Sequence, residues 1–294
     1  EATLQHEQTP TTIEKALNHH NRAWAWLKSI LEEWNGLTEL GVLDHNKTLS
    51  ECRNMGIHTT PVPLTICLSH ETNDKGEVSR LKCRAAVRGT QRHVQAGVHY
   101  DAETFAATPN MNSTRILMAL IVHMNLHQMS WDIEKAYVWC NLKEQDRIII
   151  KYPKAFERRH PTTGEELFAV LLRNLYGMPS AARNFQKHRD QFILETFNND
   201  QWSCKRCIMD PCMFVINKEG KTTWMLCYVD DIDCASQCQS HLREIFQLMN
   251  KAWKCKEIPS DYILGVKRTR TEVNEKITIK MTMEAYVEGM YTAF

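Results

Sequence analysis

The chain has 294 residues, 43% apolar and 24% charged, a length and composition of a soluble globular protein of about two domains that exclude wholesale disorder. Thirty-six Lys and Arg against 35 Asp and Glu leave a formal net charge of +1, so nucleic-acid binding has to come from local patches. No apolar run approaches the ~18 residues of a membrane span, the N-terminus lacks signal-peptide character, and 11 scattered cysteines argue against a disulfide framework; an intracellular protein with no membrane partner is expected.

A helix is expected from Thr11, with Pro10 before it and Glu14 three positions on as a capping-box partner. Ile13, Leu17, His20, Trp24, Leu27, Leu31 and Trp34 draw one apolar stripe along it, and the pattern ends at Gly36. The segment from Leu37 to Pro63 reads as connection. Val62 to Leu68 and Arg80 to Arg88 read as the strands of a hairpin around the turn-rich Asn73-Asp-Lys-Gly-Glu77. No acidic residue occurs between Val78 and Tyr100. Alternation places Arg80, Lys82 and Arg84 on one face, where they can grip phosphates or keep an edge strand solvated.

After Pro109 a second helix is expected to start behind Asn112 or Ser113 and to bury Ile116, Leu117, Leu120, Ile121 and Met124. A strand follows in which Met129, Trp131 and Ile133 alternate with Gln128, Ser130 and Asp132, leaving Asp132 on the polar face near its end. In the stretch from Leu171 to Phe185, Ser180 is positioned to cap a helix that buries Ala181, Phe185 and Phe192. Cys204, Cys207 and Cys212 contain one Cys-x-x-Cys but no second pair, so packed thiols are a better reading than a four-ligand zinc site.

The run Trp224-Met-Leu-Cys-Tyr-Val-Asp-Asp-Ile-Asp-Cys-Ala-Ser236 reads as a buried strand, a tight turn and a second strand, presenting Asp230 and Asp231 at the tip. Aspartates facing water in an ordinary turn are the plain alternative. Two carboxylates held against a core call for cations. With the Asp132 strand beside the hairpin, three aspartates would hold two magnesium ions ~3.5–4 Å apart for in-line phosphoryl transfer. A helix from Ser240, a strand and turn at Tyr262 to Val266, and a closing strand at Ile277 to Met281 complete the chain.

Asp-x-x-x-Ala-Tyr at 132–137 with Tyr-Val-Asp-Asp at 228–231 resembles the two metal-binding motifs of reverse transcriptases. Lys82-Cys-Arg-Ala-Ala-Val-Arg-Gly89, Tyr100-Asp-Ala-Glu-Thr-Phe105 and Leu175-Tyr-Gly177 are similar to segments of the copia branch of retrotransposon enzymes, from which Pro179 and Ala182 depart. The resemblance implies an α+β fold, a polymerase palm with inserted fingers. It divides the single domain into an N-terminal helix and connection (1–60), mainly fingers (61–125), palm with the first catalytic aspartate (126–150), fingers and palm (151–185), palm with the Tyr-Val-Asp-Asp hairpin (186–255), and primer-supporting and closing strands (256–294).

The implied activity is RNA-directed DNA polymerisation on an RNA or DNA template with primer, using deoxynucleoside triphosphates and two Mg2+ ions, with Mn2+ as a substitute. Asp132, Asp230 and Asp231 would be catalytic and, with the Ile133 carbonyl, metal-binding. Tyr137 would exclude a 2′-hydroxyl, and Gly177, Lys82, Arg84, Tyr228 and Arg183 would contact the nucleotide. A place in a longer polyprotein with ribonuclease H and integrase, and a cytoplasmic virus-like particle or the nucleus as location, are further implications. A co-opted, inactive nucleic-acid-binding remnant is one rival class, and a magnesium-dependent hydrolase with an Asp-Asp site is another. The hydrolase would leave the Leu-Tyr-Gly segment and the basic fingers strand unaccounted for.

Overall fold

A computed structural model describes residues 9–72, 78–263, 265–274 and 276–293; the expected hairpin tip at 73–77 lies outside them. In chain order the elements are α1 (Ile13–Leu17), α2 (Ala23–Glu39), β1 (Leu43–Lys47), α3 (Leu49–Asn54), β2 (Val62–Thr72), β3 (Val78–Val87), α4 (Met111–His123), β4 (His127–Ile133), β5 (Ile148–Lys151), β6 (Arg158–Arg159), β7 (Glu166–Leu171) and α5 (Ala181–Thr196). They continue with β8 (Ser203–Arg206), β9 (Met213–Lys218), β10 (Lys221–Tyr228), β11 (Asp231–Ser236), α6 (Gln239–Ala252), β12 (Cys255–Ile258), β13 (Tyr262–Ile263), β14 (Val266–Val273), β15 (Lys276–Thr282) and α7 (Glu284–Ala293). The α+β class is as expected. The chain forms two compact units, residues 1–105 with 137–184, and residues 106–136 with 185–294, so each is interrupted by the other. Helix α4, in the sequence-defined segment 61–125, belongs to the second unit.

The first unit holds a sheet in the order β1-β7-β5-β2-β3, with β6 on β7. Its core gathers Trp34, Leu37, Val42, Leu64, Val87, Ile150, Leu171 and Leu175. The single N-terminal helix expected from the stripe is two helices: Thr12, not Thr11, caps α1 by accepting the Lys15 amide, and α1 ends at Asn18. That break resets the helical phase, so α2 buries Trp26, Ile30, Glu33, Trp34 and Leu37 while Leu17, Trp24 and Leu31 are exposed. Helix α2 also runs past Gly36. It ends at Glu39 with Leu40 as its cap, and Gly41 follows with a φ of 61° that allows Val42 N to reach Leu37 O (3.0 Å) and Gly41 N to reach Thr38 O (3.0 Å), a Schellman closure. The stretch read as connection contains β1 and α3, the latter fixed by a capping box between Thr48 and Glu51.

The second unit is a sheet in the order β12-β4-β11-β10-β9-β8, plus the small sheet β13-β14-β15. Alternation sorts the large sheet's side chains as expected. Trp131, Ile133, Ile232 and Cys234 are fully buried on one face, where α6 packs and Phe246 meets the Trp131 ring edge-on at 5.6 Å. Asp132, Ser130, Asp231 and Asp233 point to the other face. Leu117, Met118 and Ile121 of α4 cover that face over Leu226 and Ala235. Helix α4 starts at Met111 behind an Asn110 cap, earlier than expected, and its phase leaves Ile116 and Met124 exposed.

Candidate functional site

The β10–β11 hairpin has the expected form, with Tyr228 opposite Asp231 and the two-residue tip Val229-Asp230. Strand β11 pairs with β4 so that Asp231 faces Asp132 directly. The Ile133 amide donates to the Asp230 carbonyl at 3.0 Å, which makes Ile133–Asp230 a hydrogen-bonded pair and leaves Asp132–Asp231 as the non-hydrogen-bonded pair, whose side chains stand closest. Because a strand residue's N–H and C=O point the same way, the Ile133 carbonyl also faces the turn. The row across the sheet reads Tyr228, Asp231, Asp132 and Lys256, so the cation at 256, which the sequence motifs did not single out, sits in register with the first aspartate.

Burial, then the charges of Asp230 and Asp132, push the Asp231 carboxyl up to about 6. Two residues on, Asp233 has the opposite surroundings: it accepts from Arg268 Nη1 at 2.5 Å, from Ser130 Oγ at 2.9 Å and from Gln128 Nε2 at 2.9 Å. A cavity of about 590 Å³ opens beside Asp231, lined also by Tyr228, Pro109, Met111, Thr114, Tyr262, Ile263 and Gly265.

The donor set, carboxylates and a backbone carbonyl around an Asp231 whose neighbours all disfavour its charge, suits hard divalent cations. Among the described residues no group of three or more His, Cys, Asp or Glu side chains is placed to hold a metal ion as it stands. Cys204 and Cys212 pack in the core, where burial pushes the Cys204 thiol up to about 12 and Cys212 up to about 11, while Cys207 is half-buried.

The remaining expected residues lie in the first unit, and three of them gather around Tyr176. The Tyr137 ring meets Tyr176 edge-on at 5.1 Å, and the Arg84 guanidinium lies 5.3 Å from the Tyr176 centroid. Gly177 (φ 82°) follows. Its backbone lies close against the end of β3: a Cβ there would stand 2.0 Å from the Val87 carbonyl oxygen, and one on Gly89 would stand 1.7 Å from the Gly177 oxygen. Val87 N donates to Tyr176 O at 2.7 Å, closing β3 onto the Leu-Tyr-Gly segment. Lys82 is ion-paired with Glu71 on the opposite hairpin strand, which holds the Glu71 carboxyl below its ordinary range. Arg183 pairs with Glu103 and donates to the Phe105 carbonyl at 3.0 Å, tying down the segment at 103–105.

Among known proteins, the chain is 24% identical over 220 residues to the retrovirus-related Pol polyprotein from transposon TNT 1-94 of Nicotiana tabacum, covering 73% of this chain and 15% of that protein. It is 24% identical to the corresponding polyproteins from transposons RE2 and RE1 of Arabidopsis thaliana, over 67% and 72% of this chain and 13% and 14% of theirs. The chain thus spans less than a sixth of the length of these relatives. The foamy viral protease-reverse transcriptase, solved in complex with double-stranded DNA, aligns at a TM-score of 0.41 and 14% identity over 89% of this chain and 36% of that one. The family model described as reverse transcriptase (RNA-dependent DNA polymerase) matches residues 53–292, which include every motif quoted above. The chain therefore belongs to the reverse transcriptase (RNA-dependent DNA polymerase) family, with the transposon polyproteins and its own motifs placing it in the copia-type branch.

Proposed function

We propose that this chain is the polymerase domain of a copia-type transposon polyprotein and adds deoxynucleotides to a primer 3′ end on an RNA template. The observation that carries the reading is the direct cross-strand pairing of Asp132 with Asp231 beside the Val229-Asp230 turn, next to an open cavity. Asp132, Asp230 and Asp231, with the Ile133 carbonyl, would hold two Mg2+ ions or Mn2+ in their place. When bound, such cations lower the pKa of an attacking hydroxyl and neutralise the leaving pyrophosphate. The carboxylates orient that chemistry at the end of a rigid sheet, and Tyr228 flanks them in register. Arg84 supplies positive charge for the triphosphate or template. Tyr137 follows Asp132 by five positions, and its ring would exclude a ribose 2′-hydroxyl. Ribonuclease H and integrase regions in the same polyprotein, and action in a cytoplasmic virus-like particle or the nucleus, belong to the same proposal.

Primer extension on an RNA template tests it. The wild-type chain extends the primer with Mg2+, and Asp132→Asn, Asp230→Asn and Asp231→Asn each abolish addition while keeping the fold. Tyr137→Val shifts preference toward ribonucleotides by about tenfold, as expected for removing a steric exclusion of roughly 1–3 kcal/mol. Normal extension by Asp230→Asn would overturn the carboxylate assignment. Template binding by the wild-type chain without any extension would identify a co-opted binding remnant instead.

A further inference from the structure

The hairpin tip contains a conformational oddity. Val229 has φ 49°, in the left-handed region that a β-branched residue rarely enters. Among the described residues the other non-glycine residues with positive φ are Asn46, Asn125, Lys135, Glu219 and Asn274, so Val229 alone is β-branched. Strain of this kind persists only where the surroundings over-determine it.

Two struts do so here. From β4, the Ile133 amide holds the Asp230 carbonyl at 3.0 Å. From α5, Arg189 Nη1 donates to the Val229 carbonyl at 2.9 Å. Arg189 is 1% exposed, and a buried guanidinium is tolerated only when its donors are satisfied. Its Nε and Nη2 both donate to Asp190 Oδ1, at 3.1 and 2.8 Å, while Asp190 Oδ2 also accepts from Arg206 at 3.4 Å. The Asp190 carboxylate thus sets the plane of the fork, and the remaining nitrogen is aimed at the turn. A lysine has one donor centre and cannot make both contacts in this geometry.

We infer that Arg189 is a positioning residue that holds the Val229-Asp230 turn, and with it the Asp230 and Asp231 carboxylates, in the arrangement used for metal binding. The inference rests on the proposed reading of those carboxylates. It touches no substrate: Arg189 acts through the Val229 carbonyl. Replacing it lets the strained peptide relax toward negative φ and swings Asp230 away from Asp132.

The test uses the full 294-residue chain with Arg189→Met and Arg189→Lys, the second retaining the buried charge should the first fail to fold. In metal-free protein, hydrogen exchange of peptides covering 224–236 should speed up by about tenfold or more, with α6 unchanged, as expected for a local rather than global opening. In primer extension, the Mg2+ concentration for half-maximal rate should rise about tenfold while the KM for nucleotide holds, since the lost interaction serves the metal-binding arrangement and not nucleotide contact. Introducing Val229→Gly removes the backbone strain and should shrink the Arg189→Lys effect on both readouts, a coupling that a plain core residue would not show. Unchanged exchange at 224–236 and unchanged Mg2+ dependence in a folded Arg189→Lys, alongside an inactive Asp230→Asn, would overturn the inference. An active Asp230→Asn would instead overturn the carboxylate reading, and the exchange measurement alone would then decide whether Arg189 holds the turn.

Discussion

Asp231 and Asp233 stand on the same strand, two residues apart, and their surroundings differ in one respect. Asp233 is closed off from water against Arg268 and two neutral donors, whereas burial, Asp230 and Asp132 all push the Asp231 carboxyl upward, to about 6. In the unfolded chain Asp231 ionises near its ordinary value of 3.8, so between about 4 and 6 the folded protein holds the extra proton. The stabilising effect of that proton is complete below the unfolded value, is lost as pH rises toward 6, and stays lost above it. Metal-free wild-type protein should therefore lose thermal stability relative to Asp231→Asn as pH rises from 4 to 6, and Mg2+ should restore it above pH 6 in wild type but not in the variant. Parallel melting curves for the two proteins across that range, with or without Mg2+, would show that Asp231 is not the group being titrated.

At the scale of elements, the tightest joint lies between the end of β3 and the Leu-Tyr-Gly segment. The Gly177 backbone approaches Val87 so closely that a methyl group would stand 2.0 Å from a carbonyl oxygen, in a φ of 82° that side chains resist in any case. Gly177→Ala should cost about 3 kcal/mol of stability, the size associated with combined overlap and backbone strain. It should also loosen Tyr176, on which Tyr137 and Arg84 pack; chemical denaturation showing a cost below about 0.5 kcal/mol, the range of a neutral surface change, would contradict the close approach. The sequence announced Gly177 by its motif but not its neighbour, because Val87 is distant along the chain. Strands with strict alternation, such as β4, and the apolar run ending in two aspartates were legible because one periodicity governs each. The N-terminal stripe misled because the break at Asn18 resets the phase between α1 and α2, and because α2 buries Glu33, whose carboxylate accepts the Ala85 amide at 3.1 Å. Arg189 was illegible for a similar reason: a charged residue on a helix reads as solvent-facing until Asp190 and the Val229 carbonyl are seen around it.

For the whole molecule, a net charge of +1 provides no long-range attraction to nucleic acid, so affinity must depend on which individual cations remain unneutralised. Lys82 is matched by Glu71, while Arg84 on the same strand face is exposed and lies against Tyr176. Arg84→Ala should reduce the slope of log affinity against log salt for a template-primer duplex by about one, and Lys82→Ala by much less. Equal slopes for wild type and Arg84→Ala would remove Arg84 from the binding surface. The cross-strand carboxylate pair also has a history in time. Asp132 and Asp231 are partners in the sheet but lie about 100 positions apart in the chain. At a synthesis rate of roughly 5–20 residues per second, β4 waits about 5–20 seconds before β11 is made. Both hydrogen-bonding edges of β4 depend on still later strands, β11 on one side and β12 on the other. A ribosome-bound chain halted before β11 therefore carries a strand with one apolar face, two unsatisfied edges and no paired carboxylates, a species that needs shielding.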